Sequence, residues 1–180
     1  MKAVIVGCGR VGAALADELS RAGWQVLILD TTSAAFDRLP ATYSGTALRG
    51  DGTDEDTLRR AGAADADLFF AGTEGDNRNV MVAQLAQEAL GARRVVAKIN
   101  DPVRAEAYAH LGIATLCRTN LMAAAVLEYM GQAPGDRPGM HAPEAGHAHH
   151  TDVAVPSGAA PSHGAGSSHG AGSATPTPEA

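Results

Sequence analysis

Residues 2–30, KAVIVGCGRVGAALADELSRAGWQVLILD, constrain the fold more than any other stretch. A β-branched run, Ala3 to Val6, enters a loop with glycines at 7, 9 and 12. A helical pattern follows over 10–22, with Val11, Leu15 and Leu19 at i, i+4 and i+8 as its expected buried face. A second apolar run, Val26–Leu29, then ends on Asp30. Gly7-Cys8-Gly9-Arg10-Val11-Gly12 fits GxGxxG, and here the motif follows a strand and opens a helix, the context that gives it meaning. Gly7 allows the tight turn, Gly9 lets main chain approach a pyrophosphate, and Gly12 lets helix and strand pack closely. The helix start turns free N–H groups and a partial positive charge toward phosphate. Asp30, 18 residues after Gly12, is placed to accept hydrogen bonds from ribose hydroxyls and to repel a 2′-phosphate.

The alternation continues to about residue 130. Ser33–Leu39 reads as a short helix with Ser33 as N-cap, and Thr46–Arg49 as a third strand. Thr53 or Asp54 caps a helix to about Ala61, and Leu68–Ala71 is a fourth strand. Asn77–Leu90 is a longer helix expected to bury Met81, Val82, Leu85, Ala86 and Ala89. Arg94–Ile99, a helix over Pro102–Leu111, Ile113–Cys117 and a last helix over Asn120–Met130 complete the pattern. Six strands alternating with helices predict an α/β fold, a Rossmann-like doubly wound parallel six-stranded sheet.

The composition changes near Gly131. Residues 131–180 hold seven of the nine prolines, six of the seven histidines and no aromatic residue, and SHGAGS occurs twice in succession. A segment of that kind buries too little apolar surface to offset its ordering entropy, so it reads as a disordered Gly/Pro/Ala/His-rich tail behind a folded domain of residues 1–130. His141, His147, His149, His150, His163 and His169 are candidate ligands for Ni²⁺, Zn²⁺ or Cu²⁺, against the alternative of a solubilising linker, and the linker is preferred. The net charge of −6 argues against a nucleic-acid binder. Cys8 and Cys117 are too few for a disulfide framework or a zinc site, and a reducing cytoplasm suits them. No stretch approaches the length of a membrane span.

Further candidate residues fall at C-terminal strand ends, where open α/β sheets bind ligands. These are Gly50-Asp51-Gly52-Thr53 after strand three, Thr73-Glu74-Gly75-Asp76-Asn77 after strand four, and Lys98 near the end of strand five. Asp51 and Asp76 have a second reading as turn or cap residues, and Lys98 as a surface lysine. Arg10, at the loop mouth, can grip phosphate oxygens bidentately. Its alternative is a solvated arginine, although a cation at a helix N-terminus is mildly unfavourable. Cys8 reads as a small packing residue.

With these residues together, the chain resembles the RCK N or KTN (TrkA-N) domain of the Trk/Ktr potassium transport regulatory family, over about residues 1–130. The resemblance implies a cytoplasmic regulatory subunit that binds NAD(H), ATP or ADP and gates a membrane-embedded potassium transporter or channel subunit. It would sit at the inner face of the cell membrane through that partner. It implies that Arg10 and Lys98 contact phosphates and Asp30 the ribose, with Thr31 also among the cofactor-binding residues. Asp51, Gly52 and Thr53 would border the adenine, and Thr73 to Asn77 would line the rest of the pocket. It also implies a homo-oligomer, or a hetero-oligomer with a longer homologue, in which the last helix packs against a neighbouring subunit through Leu121, Met122, Ala125, Val126 and Tyr129. An intramolecular core is the other reading of that face. The folded pattern stops near residue 130, so no second effector-binding domain is expected within this sequence.

The rival readings are a small NAD-dependent oxidoreductase and a metal-handling protein acting through the tail. An oxidoreductase needs a proton-transfer residue beside the cofactor. The one histidine before the tail, His110, falls in a helix away from the expected ligand edge, and no nucleophile has a partner base. The sequence therefore predicts a sensor and not an enzyme, with nucleotide acting by differential affinity for two conformations.

Overall fold

A computed structural model describes residues 1–132, and the proline- and histidine-rich tail, with its metal-binding alternative, lies outside those residues. The elements run β1 (Lys2–Val6), α1 (Arg10–Arg21), β2 (Gln25–Asp30), a 3-10 helix (Ser33–Arg38), β3 (Thr46–Arg49), α2 (Glu55–Arg60) and β4 (Leu68–Ala71). They continue α3 (Asp76–Glu88), β5 (Val95–Ile99), α4 (Pro102–His110), β6 (Thr115–Cys117) and α5 (Arg118–Tyr129). All strand pairs are parallel, in the order β3-β2-β1-β4-β5-β6. This is the predicted Rossmann-like sheet. The strand order reverses between β1 and β4, which opens a crevice at their C-terminal ends.

Alternation along each strand divides the core into two layers. Val4, Val6, Leu27, Leu29 and Phe69 face Leu58 of α2, Val80, Val82 and Ala83 of α3, and Ala105 of α4. Ala3, Ile5, Val26, Ile28 and Phe70 face Ala13 and Ala16 of α1 and Ala35 of the 3-10 helix. Fully buried side chains of this size each contribute about 1.5–3 kcal/mol. β3 is exposed along its whole length, as suits a short edge strand.

Several local expectations are corrected. In α1 the buried positions are Gly12, Ala13 and Ala16, while Leu15 and Leu19 pack at the margin and Val11 is exposed. The helix lies close to the sheet, and only small side chains fit between them. In α3, Met81 is exposed, and Asn79, Val80, Val82, Ala83 and Ala86 form the buried set, with Leu85 and Ala89 partly buried. The 3-10 helix is capped by Thr32 and not Ser33, and no side chain supplies the cap bond. Asp54 caps α2, accepting from the Thr57 N–H, so Thr53 does not serve as its cap. Among the described residues, no helix is long and apolar enough to cross a membrane, and no cluster of three metal-ligating side chains occurs.

Candidate functional site

The crevice at the β1/β4 reversal is a cleft of about 650 Å³, lined by the glycine loop, Asp30 to Thr32, Gly50 to Gly52, Gly72 to Glu74 and Lys98. Its floor is the β1–α1 turn. Gly7 has φ +104, and a Cβ there would meet the main chain of Gly72 and Thr73 at 2.9 Å. Its N–H donates to the Leu29 carbonyl at 2.7 Å, fixing the loop to β2. A Cβ at Gly12 would collide with the Gly7 carbonyl oxygen. The protein's own packing therefore demands glycine at 7 and 12.

Gly9 differs. Its backbone is ordinary extended chain, φ −78 and ψ −173, and it caps α1 without any side-chain bond. A Cβ built there would meet nothing within 4 Å. No neighbour in the protein requires glycine at that position, and the residue lines the cleft. The first N–H groups of α1 follow it without intrahelical partners. Main-chain N–H groups of this kind at a helix start are suited to anionic oxygens.

Across the loop, Asp30 is held rigidly. One carboxylate oxygen accepts from the Cys8 N–H at 2.8 Å, and the other from the Thr32 N–H at 2.9 Å. The side chain remains partly exposed to the cleft, so its remaining lone pairs can accept from hydroxyl groups. Cys8 is fully buried in the core layer over α1, and burial followed by the nearby Asp30 charge raises its thiol pKa. That makes it a packing residue and a poor nucleophile. Asp51 accepts from the Thr53 N–H at 2.9 Å and hydroxyl at 2.8 Å, and these bonds hold its carboxyl below the usual range. Gly52 is buried against Val6, whose side chain a Cβ would strike.

The β4 side is built around Asn79. It is fully buried, and all its bonding capacity is directed at the strand ends. Its oxygen accepts from the Thr73 N–H at 2.8 Å and hydroxyl at 2.6 Å, and its amide donates to the carbonyls of Thr73 at 3.0 Å and Lys98 at 2.8 Å. One side chain thus locks the β4 and β5 ends into the cleft wall. Lys98 protrudes from β5, half-buried, and burial followed by the Arg118 charge lowers its pKa.

Of the residues singled out from sequence, Gly7, Cys8, Gly9, Arg10, Val11, Asp30, Thr31, Asp51, Gly52, Thr73 and Lys98 line the cleft together. Gly12 supports the loop from behind. Thr53 acts through Asp51. Asn77 points elsewhere, accepting from Arg104 at 3.2 Å and Tyr108 at 3.4 Å on α4. Asp76, the first residue of α3, is neither a turn nor a cap residue: it reaches the end of β5 and accepts from the Asn100 and Asp101 main-chain amides and the Asn100 side chain. Sequence reasoning missed Arg38, Arg78 and Arg118, which also line the cleft. Arg78 and Arg118 stand in the first turns of α3 and α5, and that position after a strand was the available signal.

Comparison with known proteins agrees with this geometry. The chain is 46% identical over 116 residues to the Trk system potassium uptake protein TrkA of Streptomyces coelicolor, an alignment covering 64% of this chain and 52% of that protein. It therefore spans about half the length of this relative. The fold is similar to the Shewanella denitrificans Kef C-terminal domain in its AMP-bound form, with TM-score 0.57, 24% identity and coverage of 74% of this chain and 84% of that one. It is also similar to the GsuK channel bound to NAD, with TM-score 0.58, 16% identity and coverage of 70% of this chain and 23% of that one. A model of the TrkA-N domain matches residues 3–119, and the chain belongs to the TrkA-N domain family.

Proposed function

We propose that this chain is a nucleotide-sensing regulatory subunit of a Trk/Ktr-type potassium uptake system, cytoplasmic and held at the membrane through a pore-forming partner. Adenine nucleotide, NAD(H) or ATP/ADP, binds in the cleft and is not transformed. The observation that carries the reading is Gly9: a glycine with free space before it, beside unpartnered helix amides and facing a fixed carboxylate. In this reading the ribose hydroxyls donate to Asp30, the phosphates take the amides of the α1 first turn with Arg10 and Lys98, and the adenosine side is bordered by Thr31, Asp51 and Gly52. The potassium-uptake name of the Streptomyces relative and the nucleotides named for the Kef domain and the GsuK channel support both parts. A signalling role needs only that nucleotide bind two subunit arrangements with different affinity.

The test is thermal unfolding of the full chain with AMP, ADP, ATP, NAD, NADH and NADPH, on wild type and Asp30→Ala. A ligand at about 100 times its dissociation constant stabilises by about 2.7 kcal/mol. Stabilisation of wild type that Asp30→Ala removes is expected. Absence of any shift, or turnover of NADH with a small substrate, overturns the proposal.

A further inference from the structure

α5 leaves the sheet with little to hold it. It starts directly after β6, and only Asn120 of its residues is buried. Apolar packing therefore does little to set the direction of the helix, and polar contacts at its first turn count for more. Thr119, in that turn, donates its hydroxyl to the Asn100 carbonyl at 2.8 Å. The Cys117 thiol approaches the same oxygen at 3.8 Å. The register explains the meeting. Ile99 ends β5 opposite Cys117, which ends β6, so the next residue on each strand leaves the sheet at the same place.

Asn100 is gripped from the other side by α3. Asp76 accepts from the Asn100 N–H at 2.9 Å, the Asn100 side-chain amide at 2.8 Å and the Asp101 N–H at 3.2 Å. The same side-chain amide donates to the Glu74 carbonyl at 3.3 Å. Glu74 and its neighbour Thr73 line the cleft. A chain of short polar contacts thus runs from the cleft wall, through Asp76 and Asn100, to the foot of α5. Asn79 stiffens its near end, because it ties Thr73 to the Lys98 carbonyl, on the strand that leads into Asn100. Bonds of this kind weaken steeply when the partners part or tilt, so a ligand that shifts Thr73 and Glu74 by about 1 Å either carries the turn with it or breaks the contact. The turn also has something to gain by moving. The side-chain oxygen of Asn100 is buried and accepts from no described group, and an unpaired buried acceptor favours an arrangement that pairs it.

We propose that Asn100 is the joint through which the cleft sets the direction of α5, with Asp76 and Thr119 as its two fastenings. All three are positioning residues, for none of them lines the cleft. The coupling rests on the cleft being the nucleotide site. Arg118 offers a shorter route, since it lines the cleft and begins α5. It is exposed, however, and a long, flexible side chain can meet a ligand without moving the helix that carries it. The Asn100 route has no such slack, because each of its contacts engages main chain.

The experiment is hydrogen exchange of the full chain, read by mass spectrometry over α5 with and without saturating ATP or NADH. Calorimetry measures the affinity for the same two nucleotides. Both use wild type, Asp30→Ala, Thr119→Val, Thr119→Ser and Asp76→Asn. Thr119 is exposed, so valine removes the hydroxyl without disturbing the core. In wild type, nucleotide is expected to change α5 exchange by about fivefold, the scale of one hydrogen bond. Thr119→Val should abolish that change while nucleotide affinity stays within about twofold of wild type, and Thr119→Ser should retain it. Asp76→Asn, which sets an amide against the Asp101 N–H, should abolish it from the other end. If Thr119→Val and Asp76→Asn raise α5 exchange equally with and without ligand, keeping the wild-type difference, these residues merely steady the helix and the joint is overturned in favour of Arg118. Nucleotide that binds in a way dependent on Asp30 and leaves α5 exchange unchanged overturns the coupling while the cleft reading stands. Failure of both nucleotides to bind overturns both.

Discussion

Gly9 and Gly12 belong to one motif but answer to different masters. Gly12 is fixed by contact within the protein, because an added methyl would run into the Gly7 carbonyl oxygen. Gly12→Ala should therefore cost about 1–3 kcal/mol by overpacking, despite alanine's better helix propensity. Gly9→Ala meets no atom and no forbidden backbone. It should cost under about 1 kcal/mol, through the poorer helix cap, while nucleotide affinity falls because the methyl occupies the ligand's side of the loop. Chemical denaturation and nucleotide titration of the two variants check this together. Loss of stability without loss of binding at position 9 would contradict it. The same contrast explains what the sequence disclosed. The glycine loop and Asp30 are legible because spacing alone brings them together in a β–α–β unit. Asn79 was not legible: it is a polar residue inside a helix, and only the positions of the Thr73 and Lys98 carbonyls reveal why it is buried.

At the scale of elements, the alternation of strand and helix was readable because each type has its own period. The buried faces were harder. The sequence pattern favours large apolar residues, yet α1 buries Gly12, Ala13 and Ala16 where it approaches the sheet. In α3, Asn79 interrupts the apolar stripe and shifts the apparent face onto Met81. Helix starts carry a second message. Arg10, Arg78 and Arg118 occupy the first turns of α1, α3 and α5, where the helix dipole disfavours a cation. In the nucleotide-binding reading proposed above, stability is given up there for an anion, so the double variant Arg78→Gln/Arg118→Gln should melt at a higher temperature than wild type without ligand. The gain should be about 0.3–1 kcal/mol per site at low ionic strength and should shrink with added salt. Calorimetry at two salt concentrations measures it, and a lower melting temperature would show that these arginines serve the fold.

At the scale of the whole molecule, α5 is the element least explained by the domain it closes. Only Asn120 of its twelve residues is buried. Leu121, Ala125 and Tyr129 recur every fourth residue, flanked by Met122 and Val126, and all five are exposed, Tyr129 at 93%. The intramolecular reading of this face therefore fails among the described residues, and the family resemblance assigns it to a neighbouring subunit. A stripe of that kind is costly in water, and its burial against a second copy would place the cleft-bordering Arg118, at the start of the same helix, next to the interface. Ligand charge sensed at Arg118 would then reach a subunit contact through one rigid helix. The full chain should sediment as a dimer or larger assembly at micromolar concentration. Val126→Asp with Tyr129→Asp should release monomers whose far-ultraviolet spectrum is unchanged, because neither side chain supports the core. In the assembled wild type, ATP should alter the dissociation constant of the assembly, and by linkage the assembly should alter ATP affinity by the same factor. A chain that stays monomeric at all accessible concentrations, with nucleotide bound, would detach sensing from this helix.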